Sequence, residues 1–75
     1  MKLFVWADPY HVAYGSAMVF AAAESEEEAR KIVEGAPRYH YGQYRNNNEV
    51  GGGVALGVPT RIIDLPGAEW HEWQE

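Results

Sequence analysis

His11, His40 and His71 are the only imidazoles in the chain, and there is no cysteine. A metal centre would therefore have to join histidines to carboxylates such as Asp8, Glu69 or Glu72, because thiolate ligation is closed. No pair stands at tight ligand spacing on one element. Glu69 and His71 alternate by two, so on an extended segment they share one side, a placement that is common by chance. Neither a metal nor a cofactor is expected.

Nucleophilic catalysis would draw on Ser16, Ser25 or Thr60, each of which needs a base and an oxyanion hole. Ser25 is explained as a helix cap, and Ser16 follows Gly15 without the Gly-x-Ser-x-Gly pattern of a nucleophile elbow. Gly51-Gly52-Gly53 lacks the following Lys-Ser/Thr and helix start of a phosphate loop. The expectation is a protein that acts by binding and not by catalysis.

Two surfaces carry binding vocabulary. The first is the segment Arg38, Tyr39, His40, Tyr41, Tyr44 and Arg45, where guanidinium groups and aromatic rings could stack on a base and contact phosphate. Two positive charges are few for a groove that tracks a nucleic-acid backbone, so a small nucleotide is the ligand to expect there; a dimer seam or a sheet-edge cover is the structural alternative. The second is acidic. Glu26, Glu27 and Glu34 on a helix, with Trp70 and Trp73 near the end, offer negative charge and aromatic anchors to a basic protein surface. Such charge usually serves only to solvate a face.

The elements that must position these residues are short. Leu3–Ala7 is rich in strand formers and stops at Asp8-Pro9. Ser16–Ala22 resumes an apolar run, read as a second strand antiparallel to the first, with a helix as the alternative for so many alanines. Ser25-Glu26-Glu27-Glu28 is a capping box that opens a helix over residues 25–34, with Arg30 and Lys31 towards its negative end. Gly35 is expected to end it in the left-handed conformation, and Pro37 prevents continuation. A long connection follows, mobile about residues 46–53 where three Asn and three Gly cluster, with a weak strand or turn at Val54–Val58. Thr60–Leu65 and Ala68–Trp73 read as a final strand pair joined through Pro66-Gly67. The expected fold is one α+β domain spanning residues 1–75: a small antiparallel sheet in ββαββ order with one helix packed on a face. Its core should comprise Phe4, Trp6, Val19, Ile32, Val33 and Ile63, so that Ile32→Asp should prevent folding.

Seventy-five residues exclude a second domain and leave one thin core. With no disulfide to reinforce it, a homodimer is expected, seamed at the sheet edge or at the tyrosine-rich segment. The net charge of −5 is uneven: residues 1–23 are neutral, 24–34 carry −3, 35–48 carry +2 and 49–75 carry −4. Nucleic acid is repelled overall and a basic protein partner is favoured. No apolar run is long enough to span a membrane, the first residues do not read as a signal peptide, and the absence of cysteine fits a reducing cytoplasm.

Lys2-Leu3-Phe4-Val5-Trp6 at the start, Ala23-x-Ser25-x-Glu27-Glu28-Ala29-Arg30 entering the helix, and Pro59-x-x-Ile62-x-Asp64-Leu65-Pro66 near the end together resemble small uncharacterised accessory proteins of tailed phages and prophages. The likeness covers about two thirds of the chain, departs from it between Tyr39 and Val58, and carries no catalytic residue. It implies a phage-encoded product in a bacterial host cytoplasm, of the kind that inhibits a host defence component by binding it, as anti-CRISPR proteins do. A nucleotide-signal binding or sequestering protein, and a structural or regulatory phage component, are the alternatives.

Overall fold

A computed structural model describes residues 1–10, 15–39 and 56–72. Their elements are β1 (Lys2–Ala7), β2 (Met18–Ala23), α1 (Glu26–Glu34) and β3 (Arg61–Asp64). The sheet runs in the order β2-β1-β3, with both outer strands antiparallel to β1. The fold is thus the expected α+β kind, a small antiparallel sheet with a helix on one face. Its described order is ββαβ, and the expected strand pair at the end is not formed among the described residues. β3 pairs with β1 and not with a following strand, and residues 68–72 carry no strand. Residues 56–58, the described part of the expected Val54–Val58 element, are not a strand either.

Alternation sorts the sheet into two faces. Phe4 pairs with Ala21 and Ile62, and Trp6 pairs with Val19, so these residues share the face under α1. Leu3, Val5, Met18, Phe20, Ala22, Arg61 and Ile63 point to the other face. β1 is the central strand, paired on both sides, and its second face is covered too: Phe4 and Trp6 are buried, while Leu3 and Val5 are half-covered.

Six described residues form the core, as many as expected, but half of them are alanine. Phe4, Trp6, Ala21, Ala23, Ala29 and Val33 are buried, with Val19 and Leu56 packed at the margin. Ala23 and Ala29 are fully buried at the centre of the core, and larger apolar residues lie outside it. Ile32 is one of these, 46% exposed, and Ile63 is only half-buried on the opposite face. The inward line of α1 is set by Ala29 and Val33, four residues apart; at about 100° per residue Ile32 lies well to one side of it. Replacement of Ile32 by Asp is therefore compatible with folding.

The helix starts as its sequence requires and stops differently. Ser25 is extended and its Oγ accepts from the Glu28 N–H at 3.2 Å, half of the capping box; the return bond from the Glu28 carboxylate is not made. Gly35 has φ −100°, outside the left-handed region. Its N–H instead donates to the Ile32 carbonyl at 3.1 Å, and the Ala36 N–H donates to Val33 at 3.1 Å. The last turn tightens into three-residue spacing, which satisfies carbonyls without a positive φ, and Pro37 follows.

Polar bonds tie the ends of the sheet. Asp8 turns out of β1 at φ 50°, a conformation that aspartate tolerates, and donates its N–H to Ala17 while its carboxylate accepts from the Ala17 N–H. On the other side the Thr60 N–H donates to Val5 and its hydroxyl accepts from the Ala7 N–H at 3.0 Å. Beyond β3, Leu65–Pro66 is cis. Gly67 lies so close to the Asp64 carbonyl that a Cβ there would collide with it.

Candidate functional site

The arm that follows β3 carries the most exposed aromatic anchor among the described residues. Trp70 is 87% exposed. Its neighbours on either side turn the other way and are fixed: Arg61 on β3 grips Glu69 with two guanidinium nitrogens, Nε at 2.9 Å from Oε1 and Nη2 on Oε2. His71 Nε2 meets Glu69 Oε1 at 2.9 Å. Glu69 and His71 thus meet each other, while Trp70 between them is left to solvent. The clasp holds the Glu69 carboxyl far below the ordinary carboxylate range, at about 2, through its hydrogen bonds to Arg61 and then His71; the same contact pushes the Arg61 guanidinium further up. A bidentate arginine–carboxylate pair fixes direction as well as distance. The indole is thereby presented at a defined place on the β3 side of the sheet, with exposed Glu72 two residues on.

The helix face supplies charge less freely than its sequence suggests. Glu26 is spent on Arg30, Oε2 lying 2.8 Å from Nη2, and Glu27 stands 3.8 Å from Lys31. Glu34 is exposed and forms no ion pair among the described residues. Trp73 lies outside the described residues. The helix acids and Trp70 are thus separate features: the helix lies over β2, and the arm is fastened to β3 at the other edge.

The tyrosine-rich segment is represented by two residues. Arg38 stacks 5.5 Å from the centroid of Tyr10 and donates to its hydroxyl at 3.2 Å, so a ring outside the segment takes its guanidinium. Tyr39 is 58% exposed. His40, Tyr41, Tyr44 and Arg45 lie outside the described residues, as does the connection about 46–53.

One arrangement carries no signal beyond the four-residue spacing of Glu26 and Arg30. Arg30 lies 5.5 Å from the Trp6 ring centroid and donates to the carbonyls of Leu56, at 2.9 Å, and Gly57, at 2.7 Å. Trp6 Nε1 donates to the same Gly57 carbonyl at 2.9 Å. A helix cation and a buried indole thus latch the chain that leads into β3. Among the described residues no group of three His, Asp or Glu side chains is placed to hold a metal ion, and no helix is long and apolar enough to cross a membrane.

No family model, curated protein or solved structure matches the chain.

Proposed function

We propose that this chain is a phage-encoded binding protein that inhibits a component of bacterial host defence, anti-CRISPR in type, with Trp70 as its anchor on a basic partner. The single observation that carries the binding reading is that an indole 87% exposed stands on an arm held by the Arg61–Glu69–His71 clasp. Large aromatic groups on pre-set backbone are the usual high-energy contacts of an interface, because little freedom is lost when they bind. The net charge of −5 and the exposed carboxylates Glu27, Glu34 and Glu72 favour a basic surface opposite, and would speed encounter with it. The phage and defence setting rests on the resemblance of the chain's two ends and helix to phage accessory proteins, and the bacterial cytoplasm follows from that setting.

The test is capture from lysates of bacteria carrying active defence systems, with the wild-type chain and Trp70→Ala immobilised in parallel. One host protein recovered by the wild type, and lost with Trp70→Ala while circular dichroism is unchanged, is the expected result. Equal recovery by both chains would remove Trp70 from the site. Recovery of no host protein at physiological salt, together with tight binding of a nucleotide, would overturn the proposal in favour of ligand sequestration.

A further inference from the structure

We infer that β2 is a self-association edge, and that two copies of the chain pair β2 to β2 about a two-fold axis to give one continuous six-stranded antiparallel sheet. Among the described strands β2, six residues long, is paired on one side only, with β1. An open strand edge is a template for another strand unless charge, proline or shortness blunts it. β2, Met-Val-Phe-Ala-Ala-Ala, has none of these defences.

Along the middle of that edge apolar side chains lie on both faces, with exposed Glu28 one turn before Ile32 on the helix flank. On the open face Met18 and Phe20 are each 64% exposed. On the helix side the flank is identified by Arg30, which reaches over Trp6 to Leu56 and Gly57 and so marks the side of α1 nearer β1 and β3. Ile32 is on the opposite flank of the inward line through Ala29 and Val33, above the outer edge of β2. At 46% exposed it places an apolar group where a second copy would lie.

Charge selects the second copy over other occupants. A basic partner is drawn to the acidic helix and arm, whereas two chains of −5 can meet only where neither presents charge, and no charged residue occurs from Pro9 to Ala23. An antiparallel edge also matches itself under two-fold symmetry. Centring the axis on Phe20 sets Phe20 against Phe20, Met18 against Ala22 and Val19 against Ala21, large beside small; moving it one residue on, to Ala21, would set Met18 against Glu24, and moving it one back, to Val19, would crowd Met18 against Phe20. The exposed parts of Met18, Phe20 and Ile32 come to roughly 300 Å² per copy, taking large side chains at about 150–250 Å². With the backbone edge added, the total is about 1,000 Å², the low end for a specific interface, so the dimer should be concentration-dependent. The strand order becomes β3-β1-β2-β2-β1-β3. Trp70 then lies at both outer ends, and the dimer is bivalent for its partner without the two surfaces competing.

Sedimentation equilibrium of the full chain over a wide concentration range reads the assembly directly, and the natural absence of cysteine allows single-cysteine cross-linking. The expected results are a reversible dimer, at least tenfold weaker in Phe20→Lys, and rapid disulfide formation between copies of Phe20→Cys but not of Ile62→Cys on the other edge strand. A chain monomeric throughout, or cross-linking through Ile62→Cys as fast as through Phe20→Cys, would overturn the inference. So would a monomer whose Phe20→Lys variant loses a captured protein, which would assign the edge to a foreign strand. Loss of partner capture in Trp70→Ala with the dimer intact concerns the anchor alone, so the two ideas fail separately.

Discussion

The two outer strands flank the same central strand and are held by different forces. β2 is fastened by burial: Ala21 and Ala23 sit in the core under Ala29 and Val33, and no polar side chain is buried there. β3 is fastened by polar bonds: Lys2 to Asp64 at 2.8 Å, Thr60 to the β1 backbone, and the Arg30–Trp6 latch on the chain entering it. The edges differ in the same sense. β3 has four residues, a charge at each end, and Pro59 and Pro66 close by, all devices that discourage pairing. Buried strands are expensive to detach, while exposed ion pairs contribute little stability each. The β2 side is therefore the firmly held part of the sheet, and the β3 side is the adjustable part that carries the Arg61–Glu69 clasp.

The sharpest way to break this contrast is to charge the buried side. Val33→Asp puts an unpaired carboxylate beneath the sheet, at a cost of about 3–5 kcal/mol, which a domain of this size cannot spare. No cooperative thermal transition by circular dichroism is the expected outcome. Ile32→Asp, one residue earlier, should change stability by about 0.5 kcal/mol or less when measured dilute enough to be monomeric. Similar losses in both would show that the helix is turned differently on the sheet.

Next in size is the latch. Arg30→Gln removes the charged donor to Leu56 and Gly57, and with Arg30 partly exposed the loss should be about 1–2 kcal/mol. Amide exchange should rise in residues 56–64 and stay slow in β2. Thr60→Val tests a smaller tie, leaving the Ala7 N–H without its hydroxyl partner, and should cost about 1 kcal/mol with the same localisation. Exchange that rises equally in both outer strands would remove the distinction between them.

The smallest effect is a pH response confined to the arm. The Glu69 carboxyl is lowered from the ordinary 4.5 to about 2 by its hydrogen bonds to Arg61 and His71. A depressed carboxylate contributes its contact fully above the unfolded value and loses it as pH falls through the folded one. The clasp should therefore weaken from about pH 4.5 down to about 2. Asp64, lowered by Lys2, responds in the same direction, so the difference between wild type and Glu69→Gln isolates the clasp. Trp70 fluorescence should shift in the wild type over this range while the helix signal changes little, and Glu69→Gln should show neither the clasp nor that shift.

Local grammar was legible in the sequence. The strand formers Leu3–Ala7, the stop at Asp8-Pro9, the Ser25 cap and the break at Pro37 act over a few residues, and each did what its chemistry requires. Glu69 and His71 do meet, but not on the strand that their spacing suggested, since residues 68–72 carry none. Decisions that depend on who meets whom were not legible. Both Ile32 and Val33 fit a helical apolar stripe, and only the way α1 is turned on the sheet, with Ala29 and Val33 inward, chose Val33 for the core. Gly35 was free to turn left-handed, but the carbonyls it needed were reached by a tighter turn. β3 found β1 because hydrogen bonds between distant segments are set by the whole sheet, while Pro66-Gly67 alone suggests a local hairpin. The Arg30 latch joins residues 26 and 27 positions apart in the chain, and Arg61 joins Glu69 across a turn. Sequence spacing carries no record of either, because long-range contacts form only once the core has fixed the geometry in which they are reachable.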